Sequence, residues 1–311
     1  MAAMAAIDVQ DLVKRFGDKT VVDHVSLRVE TGEISGFIGP NGSGKTTTMR
    51  MLCGLLSPDD GRGTVLGHDI RAAAQQVKPE IGYMTQAFSL YADLTIEENL
   101  AFVARLYGMP DPRRAVRETL SDLGLLHRRA QLAGTLSGGW KQRLALAASV
   151  MHKPRLLLLD EPTAGVDPLA RREFWDEIHE RAAEGLTVLV STHYMDEAER
   201  CHSINLIVAG RLLAKGPVER VVQESGLVTR IVTGHDVRRL RAALSADPAV
   251  EQVAPFGRTL HVVGRDGAAL DAAIRRLAPG AAVEAAETTL EDVFIHHMRR
   301  AGLSGAAARV A

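Results

Sequence analysis

The stretch Gly39-Pro40-Asn41-Gly42-Ser43-Gly44-Lys45-Thr46-Thr47 follows directly on the short apolar run Ile34 to Ile38, and this order leaves the chain little choice of local architecture. A strand has to end where the glycines begin, a tight loop has to follow, and a helix has to start near Lys45. Glycines at 39, 42 and 44 let the backbone turn sharply and aim several N–H groups at one point, where the next helix adds its positive end. Such a cradle suits a polyphosphate. Lys45 is placed to reach β- and γ-phosphates, and the Thr46 hydroxyl to complete the coordination of a Mg²⁺ ion bridging them. The loop therefore predicts ATP or GTP and says nothing yet of what the nucleotide is used for.

The remaining composition sets bounds. With 311 residues the chain has room for a large domain and a smaller one. Its 37 basic and 38 acidic residues give a formal charge of −1, so no overall field draws it to nucleic acid or to an anionic membrane. The apolar runs, Leu156 to Leu159 among them, fall far short of the roughly 20 residues a membrane-spanning helix needs. No signal-like segment opens the sequence, and Cys53 and Cys201 are its only cysteines, so a reducing cytoplasm is expected, with both thiols as core filler.

Strand-like and helix-like segments alternate from Ile7 to about Ala214. Val25, Leu27 and Val29 alternate with polar residues as in a half-buried strand, whereas Ile34 to Ile38 reads as a fully buried one. The helix after the loop is expected from Lys45 to about Leu56. Helical patterns dominate Ile96–Tyr107, Arg113–Leu123 and Gly138–Met151, a helical insert over about 90–152, before strands return at Arg155–Leu159 and Leu186–Val190. A join is expected near Gly216 to Gly226. Beyond it the order strand 228–233, helix 236–246, strands 250–255 and 259–263, helix 268–277, strand 282–287 and helix 290–300 reads as a βαββαβ, ferredoxin-like unit. The expected division is 1–220, 227–302 and a flexible tail over 303–311. His296-His297 and the pair Arg299-Arg300 read as a solvated helix face.

Further motifs carry chemistry. Leu156 to Leu159 runs into Asp160-Glu161-Pro162, a buried strand ending in two carboxylates at the edge where α/β sheets place their ligands. Asp160 can hold Mg²⁺ through water while Glu161 polarises the attacking water. Ser137-Gly138-Gly139 opens a helix, with Ser137 as N-cap, and forms a second anion site that one γ-phosphate cannot share with the first inside one chain. Gln86 ends a strand where its amide can touch Mg²⁺ or water. His193 closes the strand Leu186 to Thr192, from which an imidazole can donate to a γ-phosphate. Ala164-Gly165-Val166-Asp167 forms a turn just past the carboxylates.

Taken together, in this order, the motifs over residues 7–214 resemble the nucleotide-binding subunit of an ATP-binding cassette (ABC) transporter. The resemblance implies an α/β fold: a P-loop NTPase cassette with a mixed sheet core and a helical signature subdomain, followed here by a small ferredoxin-like α+β domain. It implies that Gly39 to Thr47 binds ATP, with Phe16 stacking on adenine beside Val21. It implies Lys45, Gln86, Glu161 and His193 as catalytic residues, and Thr46, Gln86 and Asp160 as the surroundings of Mg²⁺. It further implies a head-to-tail dimer in which Ser137, Gly138 and Gly139 of one copy cap the ATP held by the other, with Asp167 at the seam. Trp140 departs from the family, which usually has glutamine there. Trp140, the stretch Met84 to Tyr91 and the C-terminal Thr289-Leu290-Glu291-Asp292-Val293-Phe294 resemble drug-export cassettes that work with a separate membrane permease, docking near Ala87 to Thr95 at the cytoplasmic face of the membrane. The expected partners are thus a second copy and a permease, with no nucleic acid. The alternative is a cassette ATPase acting on nucleic acid or the ribosome; the chain lacks the coiled-coil insert, paired cassettes and basic footprint of such proteins.

Overall fold

Alternating and continuous apolar patterns build two different sheets in the computed structural model, which describes residues 5–233 and 237–301. Strands β1 (Ala5–Phe16) and β2 (Lys19–Glu30) pair antiparallel, and their inward residues Ile7, Val9, Leu12, Val25, Leu27 and Val29 are buried. Strand β3 (Ile34–Ile38) follows, buried at every position, and leads through the glycine loop into α1 (Lys45–Leu52). The helix is a turn shorter than expected, ending at Cys53. Next come β4 (Asp60–Val65), β5 (His68–Asp69), α2 (Ala74–Val77) and β6 (Ile81–Met84). The helical stretch is α3 (Ile96–Leu106), α4 (Pro112–Asp122) and α5 (Gly138–Val150). The chain returns through β7 (Leu156–Asp160), α6 (Pro168–Ala183), β8 (Thr187–Thr192), α7 (Met195–Ala198), β9 (Ser203–Val208) and β10 (Arg211–Gly216).

The antiparallel sheet has the order β2-β1-β4-β5; the larger sheet runs β10-β9-β3-β8-β7-β6. Pairing is parallel from β9 through β3, β8 and β7 to β6. Parallel strands covered on both faces are buried along their whole length, as β7 and β8 are, with apolar centres and polar residues at Asp160, Thr187, Ser191 and Thr192 toward their ends. Met49, Met51 and Leu52 of α1 share one core with the inner face of the antiparallel sheet and with Leu156, Leu158 and Leu189 of the parallel one. At about 25 cal/mol per Å² of buried apolar surface, this shared core fixes the phosphate loop, since the loop joins two elements that both lie in it.

Helices α3, α4 and α5 enclose a core of their own, with Leu100, Leu120 and Leu144 fully buried. Thr95 and Glu98 form a capping box at the start of α3. Just inside, fully buried Asn99 holds the preceding loop. Its amide donates to the carbonyls of Tyr91 (2.9 Å), Thr95 (3.0 Å) and Leu94 (3.3 Å), and its Oδ1 accepts from Tyr91 N at 2.8 Å. Asn99→Leu leaves these backbone groups without partners, so the unfolding transition should lose about 2–3 kcal/mol, read as a lower urea midpoint. An unchanged midpoint would show that water replaces the amide there.

The chain divides into compact units between Leu213 and Ala214, within β10. The stretch expected as a join contains α8 (Val218–Glu224). Its signal is Pro217, the N-cap just ahead of the helix, followed by Val218, Val221 and Val222 at helical spacing. The second unit continues with β11 (Val228–Thr233), α9 (Val237–Ser245), β12 (Gln252–Phe256), β13 (Thr259–Gly264), α10 (Gly267–Leu277), β14 (Ala282–Ala286) and α11 (Leu290–Arg300). Its sheet is antiparallel in the order β12-β13-β11-β14, as in a split βαβ unit, with Gly257-Arg258 closing the β12–β13 hairpin. The expected solvated pair 296–297 is corrected by this packing. His296 is buried, with Nδ1 3.3 Å from Glu251 Oε2 and Nε2 2.9 Å from Arg265, and its neighbour His297 is half-buried. The expected tail, 303–311, lies outside the described residues.

Candidate functional site

The C-terminal ends of β3, β7 and β8 lie side by side, and each carries a piece of the site. Ile38 is in register with Thr192, and Asp160 with Ser191, so the phosphate loop, the two carboxylates and His193 leave one sheet edge together. The loop's closeness to the sheet dictates its glycines. A Cβ on Gly39 would lie 2.2 Å from the carbonyl oxygen of Ile207, and Gly44 combines a φ of +105° with the Val21 carbonyl at 2.7 Å from an added Cβ.

A cavity of about 240 Å³ opens there, lined by Val21, Asn41, Gly42, Ser43, Gly44, Lys45, Thr46, Thr47, Gln86 and Glu161. Lys45, 4% exposed, donates from Nζ to the carbonyls of Gly39 (2.7 Å) and Pro40 (3.2 Å), and lies 3.1 Å from Glu161 Oε1. Ser43 adds a buried hydroxyl with no partner among the described residues. Glu161 is the meeting point. Gln86 Nε2 donates to its Oε2 at 3.0 Å, and His193 Nδ1 stands 3.3 Å from the same oxygen, at ion-pair distance without hydrogen-bond alignment.

Glu161 itself sits at φ +48°, a left-handed conformation that costs a non-glycine residue about 1–3 kcal/mol and persists only when its surroundings enforce it. Ser191 is part of that enforcement. Its Oγ donates to Asp160 Oδ1 at 2.7 Å and accepts from the backbone N of Glu161 at 3.0 Å, and its carbonyl accepts from the same N at 3.1 Å. Nothing in the sequence singles Ser191 out; its inward placement opposite Asp160 on the neighbouring strand is the signal that register supplies.

Other expected residues lie apart from the cavity. Phe16, 52% exposed at the end of β1, has the Lys14 ammonium 5.8 Å from its ring centre and does not line the cavity. Ser137 occupies the N-cap position of α5 but its side chain makes no capping bond; Ser137 and Gly138 are exposed. Asp167 caps α6 instead, its Oδ1 accepting from Leu169 N (3.1 Å) and Ala170 N (3.0 Å), while Oδ2 stands 3.9 Å from the place a Cβ on Gly139 would take. Trp140 is half-buried against the helical core with the Arg143 guanidinium 5.2 Å from its ring. Both thiols are inert by environment: burial pushes Cys53 up to about 11 and Cys201 to about 12.

A glycine-rich loop on a parallel sheet edge, with a buried lysine and a carboxylate facing it, defines a P-loop nucleotide-binding protein. The particular family follows from comparison with known proteins. The profile of the ABC transporter family matches residues 22–164. Over 300 residues the chain is 38% identical to the Nod factor export ATP-binding protein I of Ralstonia nicotianae (strain ATCC BAA-1114 / GMI1000), covering 93% of this chain and 92% of that protein. It is 47% identical over 223 residues to the "Probable multidrug ABC transporter ATP-binding protein YbhF" of Escherichia coli (strain K12); this spans 70% of the chain but only 38% of YbhF. Among solved structures, an ATP-binding subunit of an ABC transporter superimposes with a TM-score of 0.65 at 30% identity, covering 71% of this chain and 93% of that one. A nucleotide-free ATP-binding cassette gives 0.62 at 27%, covering 69% and 92%. The chain belongs to the ABC transporter family as an ATP-binding cassette.

Proposed function

We propose that this chain is the ATP-hydrolysing subunit of an exporter, working as a dimer at the cytoplasmic face of a membrane through a separately encoded permease. The observation that carries the hydrolytic reading is the convergence of Lys45, Gln86 and His193 on the carboxylate of Glu161, beside the phosphate loop. Glu161 takes the proton of the attacking water, Gln86 orients that water, Lys45 holds the β- and γ-phosphates and His193 donates to the γ-phosphate. Phe16 and Val21 receive the adenine, and Asn41, Ser43 and Thr47 add donors along the loop. Oxygen donors of the right kind for Mg²⁺ stand at hand: the Thr46 hydroxyl, the Gln86 amide and buried Asp160. The ion supplies charge neutralisation on the phosphates when bound.

The dimer reading rests on Ser137 and Gly138. An exposed N-cap serine whose hydroxyl does not serve its own helix is available to a phosphate of a second copy. Among the described residues no helix is long and apolar enough to cross a membrane, and in this reading a permease supplies the path across it. The relatives named for Nod factor and multidrug export support export as the direction. A test of the hydrolytic core is Mg²⁺-dependent ATPase rate against protein concentration. Specific activity should rise with concentration as the shared site assembles, and a constant value would sink the dimer reading.

Docking of the permease is placed on the loop Ala87 to Thr95. Phe88 and Leu90 pack against the helical core, so a charge there damages the cassette as well as the contact. Ala87 and Ser89 are exposed and separate the two effects. Ser89→Glu should slow ATP-driven transport in membranes roughly tenfold, the equivalent of about 1.4 kcal/mol of interface, with the ATPase of the isolated cassette within about twofold of wild type. Undiminished transport would place the contact elsewhere.

A further inference from the structure

We propose that the buried carboxylate of Glu197 is a positioning residue that holds Glu161 and His193 in register across the edge of the sheet. None of the roles given to the cavity residues involves it. Glu197 lies on α7, is 1% exposed, and is surrounded by groups from three other segments. The hydroxyl of Thr163 donates to its Oε1, and the hydroxyl of Thr192 donates to its Oε2 at 2.6 Å. Arg171 of α6 places Nε 3.5 Å from Oε1 at ion-pair distance, and Nη1 3.5 Å from Asp196 Oδ2.

The positions of the two threonines give the network its meaning. Thr163 stands two residues after Glu161, and Thr192 immediately before His193. One carboxylate, with one oxygen on each, therefore ties the segment leaving β7 to the segment leaving β8. Thr192 Oγ1 also accepts from Tyr194 N at 3.0 Å, so the backbone is held on both sides of His193. The Tyr194 ring lies 4.1 Å from the His193 ring and carries the Arg171 guanidinium 4.5 Å from its centre. On the other flank, the left-handed conformation of Glu161 is fixed at its N–H by Ser191. Thr163 and Glu197 fix the chain beyond it.

A side chain that only filled space under α7 would be apolar, because burying a carboxylate is unfavourable unless each oxygen is matched. What the carboxylate adds is a pair of acceptors reaching both strand ends at once. This inference rests on the reading of Glu161 and His193 as the groups that act on water and γ-phosphate. Misplacing such groups by about an ångström costs on the order of 10²-fold in rate.

The test uses the full chain, comparing Thr163→Val, Thr163→Ser, Glu197→Gln and Glu161→Gln by kcat, KM for ATP and melting temperature. Thr163→Val should lower kcat by about 10- to 100-fold with KM within about twofold, and Thr163→Ser, which keeps the hydroxyl, should restore it. Glu197→Gln keeps the side-chain volume but leaves only one acceptor oxygen for the two threonine hydroxyls, and a double variant with Thr163→Val should lose less than the product of the two single losses, because both act on the same network. The inference is overturned if Thr163→Val and Glu197→Gln turn over at the wild-type rate while Glu161→Gln is silent. It is equally overturned if they lower only the melting temperature. Wild-type turnover in Glu161→Gln would instead remove the catalytic reading on which the inference stands.

Discussion

Glu161→Gln should be almost silent as an ATPase, its turnover lower by about 10²- to 10⁴-fold, yet should bind ATP as well as the parent chain. The substitution keeps the side chain's size, and Gln accepts the left-handed backbone at φ +48° no worse than Glu does, so the fold has no reason to change. What disappears is the charge that can take a proton. Lys45 loses its 3.1 Å ion-pair partner but keeps the carbonyls of Gly39 and Pro40, so it stays beside the cavity. With hydrolysis blocked and binding intact, ATP should accumulate in a closed dimer. Rates by phosphate release and mass by light scattering, with and without ATP, read both halves of the expectation. A variant that keeps turnover within about threefold of wild type would remove Glu161 as the base, since no general base contributes so little.

Much of this site is legible in the amino-acid sequence, because phosphate chemistry constrains residues that are neighbours along the chain. Gly39 to Thr47 declares itself since only glycine tolerates a backbone that meets Ile207 and Val21 so closely, and Asp160-Glu161 declares itself through the unbroken apolar strand ahead of it. The alternation of β2 and the continuous burial of β3 likewise separate an antiparallel sheet from a parallel one. What stays hidden depends on residues brought together from a distance. Ser191 and Glu197 are an ordinary serine and glutamate in sequence; the register of β7 with β8 sets Ser191 against Asp160, and the turn from β8 into α7 sets Glu197 against Thr192 and against Thr163 beyond β7. His296 reads as solvated because its burial comes from Glu251 and Arg265 on other elements. Helix α8 is hidden for a different reason. A short segment between two glycines reads as a linker unless its proline and the spacing of its valines are taken together.

Mixing two dead chains should revive activity. Lys45→Ala removes the phosphate contact from a chain's own loop, while Ser137→Ala removes the contact it offers to its partner, and each homodimer should be inactive at both sites. In a 1:1 mixture half of the dimers pair one variant with the other. In the proposed head-to-tail dimer each such pair has one site with both defects and one with neither, because a two-fold axis would send the loop of each chain to Ser137 of the other. The mixture should therefore recover about a quarter of the wild-type rate if subunits exchange freely and sites fire independently. The geometry within one chain favours this outcome. Lys45 lies in the cavity at the sheet edge, whereas Ser137 begins α5, is exposed, and does not line that cavity. Phosphate release from the mixture, set against each variant alone at the same total concentration, is the measurement. No recovery, with subunit exchange confirmed by a labelled chain, would mean that each chain completes its own site or that both sites must be intact together; a Ser137→Ala homodimer that hydrolyses normally would select the first.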